Sequence, residues 1–560
     1  MARDTDAAAA PIVSVRGLSV AFPGRERDAV RDVSFELAAG RCVALVGESG
    51  SGKSVTARSL LGLAGRGAQV TADELRFGST DLTRVRGRGW ARIRGAGIGL
   101  VHQDALVSLD PLRRVGAEVA EGLGRFPGSR DDRAAQVEAL LRRVGVPEPR
   151  VRARQRPHEL SGGLRQRALI ASAIAGTPRI LIADEPTTAL DVTVQAQILD
   201  LLDALKRTGT GILLVSHDLA VVSSIADEIL VMNAGEVVER GAPSTLLHAP
   251  RHPYTRRLLD AIPAEHRRGT RLSDAPPTTF DARRRAGGPS SENALEARGL
   301  HKSYRAPGGA ITALDDVSFT LRRGTTLGIV GESGSGKSTA AQIVLGALEP
   351  DGGTVELDGA RWSGLRERDR RARRPLIQSI SQDPLSSFDP RYDVSAILGE
   401  AIATTGTPRS ARRARAEELL RQVGLDADVL ARRPLELSGG QRQRVAIAKA
   451  LATDPEILVC DEPVSALDVS VQAQVLDLLQ DLQAQLGVSL LFISHDLGVV
   501  RHLAHDVVVM KDGRVVEAGP ADIVLADPAQ TYTRELLAAV PRIAPTDPLH
   551  DPQHTPEETP

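Results

Sequence analysis

The sequence predicts an α/β chain built twice over: two tandem domains, each with a mainly parallel sheet at its core. Two observations carry this. The same phrases recur in the same order, 277 to 284 residues apart. Within each copy, short strands apolar on both faces alternate with helix-forming segments, the pattern of a parallel sheet covered on both sides.

Bulk composition narrows the field. The 560 residues carry 70 Lys+Arg against 71 Asp+Glu, a net charge of −1 that argues against a large basic nucleic-acid surface. Hydrophobic residues at 42% and charged residues at 25% are ordinary for globular domains. Aromatics are only 2%, so aliphatic side chains must fill the cores. Six residues are Lys, so a Lys in a special loop stands out. Cys42 and Cys460 sit in the apolar runs CVALV and ILVCD. Two isolated cysteines cannot build a disulfide framework, a four-Cys zinc site or a Cys-ligated iron–sulfur cluster. No apolar run approaches the length of a membrane span, and MARDTDAAAAP lacks the apolar core of a signal peptide, so a cytoplasmic protein is expected.

Taken in order, each copy opens with strand-like alternation (VSVRGLSVAF; ALEARGLHKSY) and reaches a buried strand, CVALVG or LGIVG. That strand runs into GESGSGKS, at 47–54 and again at 331–338, and then into an apolar helix. Helical segments rich in Pro and Arg follow. LSGGLRQR at 160–167 returns as LSGGQRQR at 437–444, ILIADEP at 180–186 as ILVCDEP at 457–463, and LLVSHDL at 213–219 as LFISHDL at 491–497. Residues 264–293 lack periodicity and read as a linker, and the Pro-rich tail 542–560 as disordered.

Glycine loops of the form G-x-x-x-x-G-K-S between a strand and a helix cradle phosphates with inward-pointing backbone N–H groups. The residues are Gly47, Glu48, Ser49, Gly50, Ser51, Gly52, Lys53 and Ser54, and again Gly331, Glu332, Ser333, Gly334, Ser335, Gly336, Lys337 and Ser338. Lys53 and Lys337 can reach the β- and γ-phosphates, and the Ser54 and Ser338 hydroxyls can ligate Mg²⁺. Asp184–Glu185 and Asp461–Glu462 end apolar strands, where packing has no use for carboxylates. The Asp suits a hard cation and the Glu suits polarising an attacking water, as a catalytic residue. His217 and His495 follow further apolar strands, and their recurrence in phase favours a γ-phosphate contact over a structural role.

Phosphate loops alone fit many nucleotide hydrolases. With the Ser161-Gly162-Gly163 and Ser438-Gly439-Gly440 signatures, the chain resembles a pair of ATP-binding-cassette nucleotide-binding domains fused head to tail, over nearly its whole length. A serine and glycine amides at a helix N-terminus make a second anion site. The resemblance implies two composite ATP sites at the interface of the cassettes, Lys53 with Ser438 and Lys337 with Ser161, each signature closing over the γ-phosphate held by the other cassette. It implies Gln103 and Gln382 as Q-loop residues that touch Mg²⁺ and respond to a transmembrane partner. Phe22 and Tyr304, 25 and 27 residues before the loops, match the aromatic that stacks on adenine, though both also suit a core. Ala189-Leu190-Asp191 and Ala466-Leu467-Asp468 match the D-loop. The visible departure is Leu164, where the second copy has Gln441.

Domain 1 is then expected at 1–263, with a helical subdomain about 104–165, and domain 2 at 294–541, with its helical subdomain about 383–442. Each ends alike, HPYTRRLLDAIP at 252–263 and QTYTRELLAAVP at 530–541, similar to the C-terminal segment of oligopeptide/dipeptide importer ATPases. That similarity implies an ATPase that powers peptide import from the cytoplasmic face of the membrane. Its expected partners are permease subunits, two in number, and an extracytoplasmic solute-binding protein; nucleic acid and an iron–sulfur cluster are not expected. Nickel and glutathione importers share the motifs, as could an exporter ATPase. A soluble twin-cassette translation factor is the rival from another class, against which stand the short Pro-broken linker and the absence of basic character.

Overall fold

The computed structural model describes residues 10–24, 26–103, 108–124, 127–188, 190–280, 292–306, 309–465 and 467–541. Contacts group the described residues of 10–188 and 194–259 into one unit, and those of 190–193 and 260–540 into a second.

In the first unit, strands Val13–Ala21 and Val30–Leu37 pair antiparallel, in a small sheet with Gln69–Thr71, Glu74–Phe77 and Thr80–Asp81. The second sheet holds the chemistry. Its order is Glu236–Gly241, Glu228–Asn233, Cys42–Val46, Gly211–Ser216, Ile180–Asp184, Ile98–Val101, parallel throughout except for the antiparallel first pair. Every residue of Cys42–Val46, Gly211–Ser216 and Ile180–Asp184 is buried, which is why these strands read as unbroken apolar runs. Val46 lies opposite Ser216, and Val215 opposite Asp184. Parallel pairing thus brings the carboxyl ends of three adjacent strands to one edge, where open α/β sheets bind ligands.

The second unit repeats this order. Strands Ile377–Ile380, Ile457–Asp461, Ser489–Ile493, Thr326–Val330, Asp506–Lys511 and Arg514–Pro520 form its six-stranded sheet. Asn293–Ala306 and Gly309–Arg322 pair in the antiparallel sheet beside Gly352–Leu357 and Ala360–Arg361. Helices stand between each Q-loop and signature: Val115–Gly122 and Arg130–Arg143 in one unit, Val394–Ala403 and Arg409–Gln422 in the other. Among the described residues, no helix is long and apolar enough to cross a membrane.

The segment read as a linker is described to residue 280, and it makes specific bonds. A short 3-10 turn, Pro263–Glu265, leads into a strap along helix Val469–Leu486 of the second unit. Buried Asp477 accepts from the amides of Leu272 and Ser273 at 3.0 Å each and from the Ser273 hydroxyl at 2.6 Å. Asp481 accepts from the Arg271 guanidinium and from the Thr278 amide, and Gln485 Oε1 from the Phe280 amide. Gly498 lets Ala264 come close, since a Cβ there would lie 2.9 Å from that of Ala264. In the first repeat Asp200 stands where the second has Asp477, but Ala204, Thr208 and Ala220 stand for Asp481, Gln485 and Gly498, so these three parts of the strap's footprint belong to the second copy. A segment without periodicity can still be ordered when side chains satisfy its backbone. Residues 281–291 and the tail 542–560 lie outside the described residues.

Candidate functional site

Each glycine loop turns through left-handed backbone that only glycine enters readily. Gly47 and Gly331 have φ of 150° and 151°, and a Cβ on either would lie 2.1 Å from the carbonyl oxygen of Met232 or Met510. Lys53 Nζ donates to the Gly47 and Glu48 carbonyls at 2.6 and 2.8 Å, and Lys337 Nζ to those of Gly331 and Glu332 at 2.8 Å each. Both lysines are buried. Burial pushes the Lys337 ammonium below its usual range. A buried ammonium that donates to neutral carbonyl and hydroxyl oxygens is poised to take an anion.

At the neighbouring strand end, Ser54 Oγ donates to Asp184 Oδ1 at 2.8 Å, and Ser338 Oγ stands 3.5 Å from Asp461 Oδ1. Burial, then the charge of Glu462, raises the Asp461 carboxyl above its ordinary value. Arg58 donates to Asp184 Oδ2 from Nε at 3.2 Å and Nη2 at 2.8 Å. No sequence signal had singled out Arg58.

Glu185 and Glu462 sit one residue beyond their strands with φ of 50° and 48°. Their amides remain in the sheet's bonding, donating to Val215 and Ile493 carbonyls at 2.9 Å. Gln103 Nε2 donates to Glu185 Oε2 at 2.7 Å, and Gln382 Nε2 to Glu462 Oε2 at 2.8 Å. His217 Nδ1 lies 3.5 Å from Glu185 Oε2, and His495 Nδ1 lies 3.3 Å from Glu462 Oε1. Burial alone would raise both glutamates, but the histidine hydrogen bond and charge, joined by the loop lysine and for Glu185 by the Thr188 hydroxyl, outweigh it and hold each carboxyl low. Burial would likewise lower His495, and the Glu462 bond reverses that. Each unit therefore brings together an ionised carboxylate, an amide and an imidazole beside the phosphate loop.

Asp218 and Asp496 explain the rest of the SHD phrase: each caps the following helix, accepting from two backbone amides. Ser161 and Ser438 are N-caps of helices Gly162–Ile174 and Gly439–Leu451. Gln441 completes a reciprocal capping box with Ser438, which Leu164 cannot do for Ser161. Gly163 and Gly440 admit close packing, a Cβ at either falling 2.6 and 2.4 Å from Val194 and Val471. Phe22 packs half-buried on the core of the first unit, while Tyr304 is 40% exposed. Leu190, Asp191 and Leu467 are buried, and Ala189 and Ala466 lie outside the described residues.

The C-terminal phrases reach the site. The Glu48 amide donates to Tyr254 Oη at 3.0 Å, and the Glu332 amide to Tyr532 Oη at 3.3 Å. In the sequence, these tyrosines marked only a family resemblance; their recurrence in both phrases was the available signal. Glu239 and Glu517 anchor the two phrases, accepting from the amides of Arg251 and His252 and of Ala529 and Gln530.

Comparison with known proteins places this geometry. The ABC transporter family matches residues 30–188 and 314–465, and the oligopeptide/dipeptide transporter C-terminal region matches 238–288 and 516–559. Oligopeptide transport ATP-binding protein OppD of Mycobacterium tuberculosis is 42% identical, covering 96% of this chain and 99% of its own. Glutathione import ATP-binding protein GsiA of Salmonella typhimurium is 41% identical, covering 96% of this chain and 90% of its own. The archaeal ribosome recycling factor aABCE1, solved with the stalk protein aP1, superimposes over 91% of this chain and 90% of that one, with a TM-score of 0.59 at 20% identity, a likeness of fold alone. Two phosphate loops with their carboxylates, signatures and C-terminal phrases, matched along almost the whole chain, make this protein a twin-cassette ATPase of the ABC transporter family, bearing the oligopeptide/dipeptide transporter C-terminal region.

Proposed function

We propose that this ATPase drives a membrane importer of di- or oligopeptides, acting at the cytoplasmic face on two permease subunits that receive solute from an extracytoplasmic binding protein. The relatives' names and the C-terminal region support this reading. The glutathione importer among them points to the same chemistry, since glutathione is itself a small peptide. The translation-factor reading is favoured by a likeness of fold alone.

Lys53 and Lys337 would exchange their carbonyl partners for ATP phosphates, while Phe22 and Tyr304 would face adenine and Ser161 and Ser438 a γ-phosphate. Mg²⁺ fits the donors: hard oxygens from Ser54 with Asp184 and from Ser338 with Asp461, and the side-chain oxygens of Gln103 and Gln382. Among the described residues no cluster of three or more His, Cys, Asp or Glu could cage a metal, which suits a cation that arrives on a nucleotide. Held by these residues, Mg²⁺ would supply positive charge to offset that of the nucleotide's phosphates. Glu185 and Glu462 then orient the attacking water and accept its proton, held in place by Gln103 and Gln382, with His217 and His495 toward the γ-phosphate.

The observation that carries the reading is the ionised glutamate, fixed at a left-handed turn beside each phosphate loop. Glu185→Gln with Glu462→Gln should keep ATP binding while hydrolysis and peptide uptake through the permease fall together, by about 10²–10⁴-fold. Near-normal turnover in the double variant would remove these residues from the role.

A further inference from the structure

The repeats diverge beside the carboxylate assigned to the cation. Five residues beyond the loop lysine the first copy has Arg58 and the second Gln342; before the Q-loop glutamine stand His102 and Ser381. Arg58 holds Asp184 by two bonds to Oδ2, while Ser54 takes Oδ1. The Asp184 side chain is 1% exposed and that of Arg58 36%, so the pair is shielded on the carboxylate side. His102 lies within the field of both charges. In the second copy the Ser338 hydroxyl approaches Asp461, which also feels the charges of Glu462 and Lys337, and among the described residues no arginine or lysine forms an ion pair with it.

We propose that the two nucleotide sites differ in their affinity for the divalent cation, and that Arg58 sets the difference. The guanidinium neutralises Asp184 and occupies the Oδ2 edge through a two-pronged contact, a geometry Arg forms better than any other side chain. A cation at the first site meets only the Oδ1 edge, shared with the Ser54 hydroxyl, of a carboxylate whose charge is already compensated, with a positive charge behind it. At the second site the Ser338 hydroxyl likewise stands at Oδ1, but among the described residues no cation pairs with Oδ2. An added positive charge a few ångströms from a divalent ion weakens its binding by about tenfold. This rests on the reading of both sites as Mg²⁺·ATP sites. Arg58 is a positioning residue in it, acting through Asp184.

Mn²⁺ reports the difference without turnover. Free Mn²⁺ is titrated by electron paramagnetic resonance against the full chain holding ADP, and nucleotide binding is followed in parallel with a fluorescent analogue in EDTA. The wild type should show two Mn²⁺ classes about tenfold apart. Arg58→Gln should merge them at the tight value, whereas Arg58→Lys, which keeps the charge, should retain the weak class. Gln342→Arg should move the second site to the weak value, and it tests the idea independently if Arg58→Gln does not fold. One uniform class in the wild type, or two classes indifferent to Arg58→Gln, overturns the proposal while leaving the ATPase reading intact. Absence of nucleotide binding with or without cation would bring down that reading and this inference with it.

Discussion

Glu185 and Glu462 show how much one residue's conformation adds to its identity. The D-E pairs were visible in the sequence because carboxylates end apolar strands there. The left-handed backbone was not, since a non-glycine residue at positive φ costs on the order of 1–3 kcal/mol and no residue pattern announces it. It is tolerated because the sheet still takes each amide. Cys42 and Cys460 are the opposite case, legible completely from their apolar neighbours. Both are buried, and burial pushes each thiol up to about 12. The thiolate is the nucleophile, so neither should react with iodoacetamide at pH 8 in the folded protein, and both should react in denaturant. Labelling of either in the native state, read by mass spectrometry, would show that its strand opens.

Among the elements, the two C-terminal helices Pro253–Asp260 and Thr531–Ala538 do more than cover their units. Each sends a tyrosine to the second residue of its own phosphate loop. A phenolic oxygen that accepts a loop amide fixes that loop's entry, at a net worth of about 0.5–1.5 kcal/mol for a neutral hydrogen bond. Tyr254→Phe with Tyr532→Phe should therefore raise the KM for ATP by about twofold to tenfold, with kcat almost unchanged. An equal fall in kcat would mean that the tyrosines act on the chemical step instead. Strands, loops and signature helices could be placed from apolar runs and glycine phrases. This contact could not, because 206 residues separate Glu48 from Tyr254 and nothing local in either segment points to the other.

For the whole molecule, the duplication was the most legible feature, since a repeat needs no physical theory to detect. The ways the copies differ were less so. Arg58 and Gln342 look interchangeable as exposed helix residues until Asp184 is seen beside one of them. Asp477 and Asp481 look like ordinary polar positions on a helix until the strap's amides are found on them. Aperiodic composition tells that a segment makes no regular element; it does not tell whether another element's side chains will hold it.

That strap makes the position of a chain break matter. A chain divided at residue 285 leaves residues 264–280 on the N-terminal fragment, although their bonds to Asp477, Asp481, Gln485 and the Ala504 carbonyl are to the C-terminal one. The first fragment then carries a built-in affinity tag for the second, an extended peptide whose amides have receptors waiting at Asp477, Asp481 and Gln485. Division at residue 262 gives the tag to the fragment that already contains its receptor. Co-expressed halves cut at 285 should co-purify, and Asp477→Ala with Asp481→Ala should weaken that recovery; halves cut at 262 should be indifferent to the same pair of substitutions. An operon that encoded the two cassettes as separate proteins, with its gene boundary at the later point, would inherit a self-assembling pair.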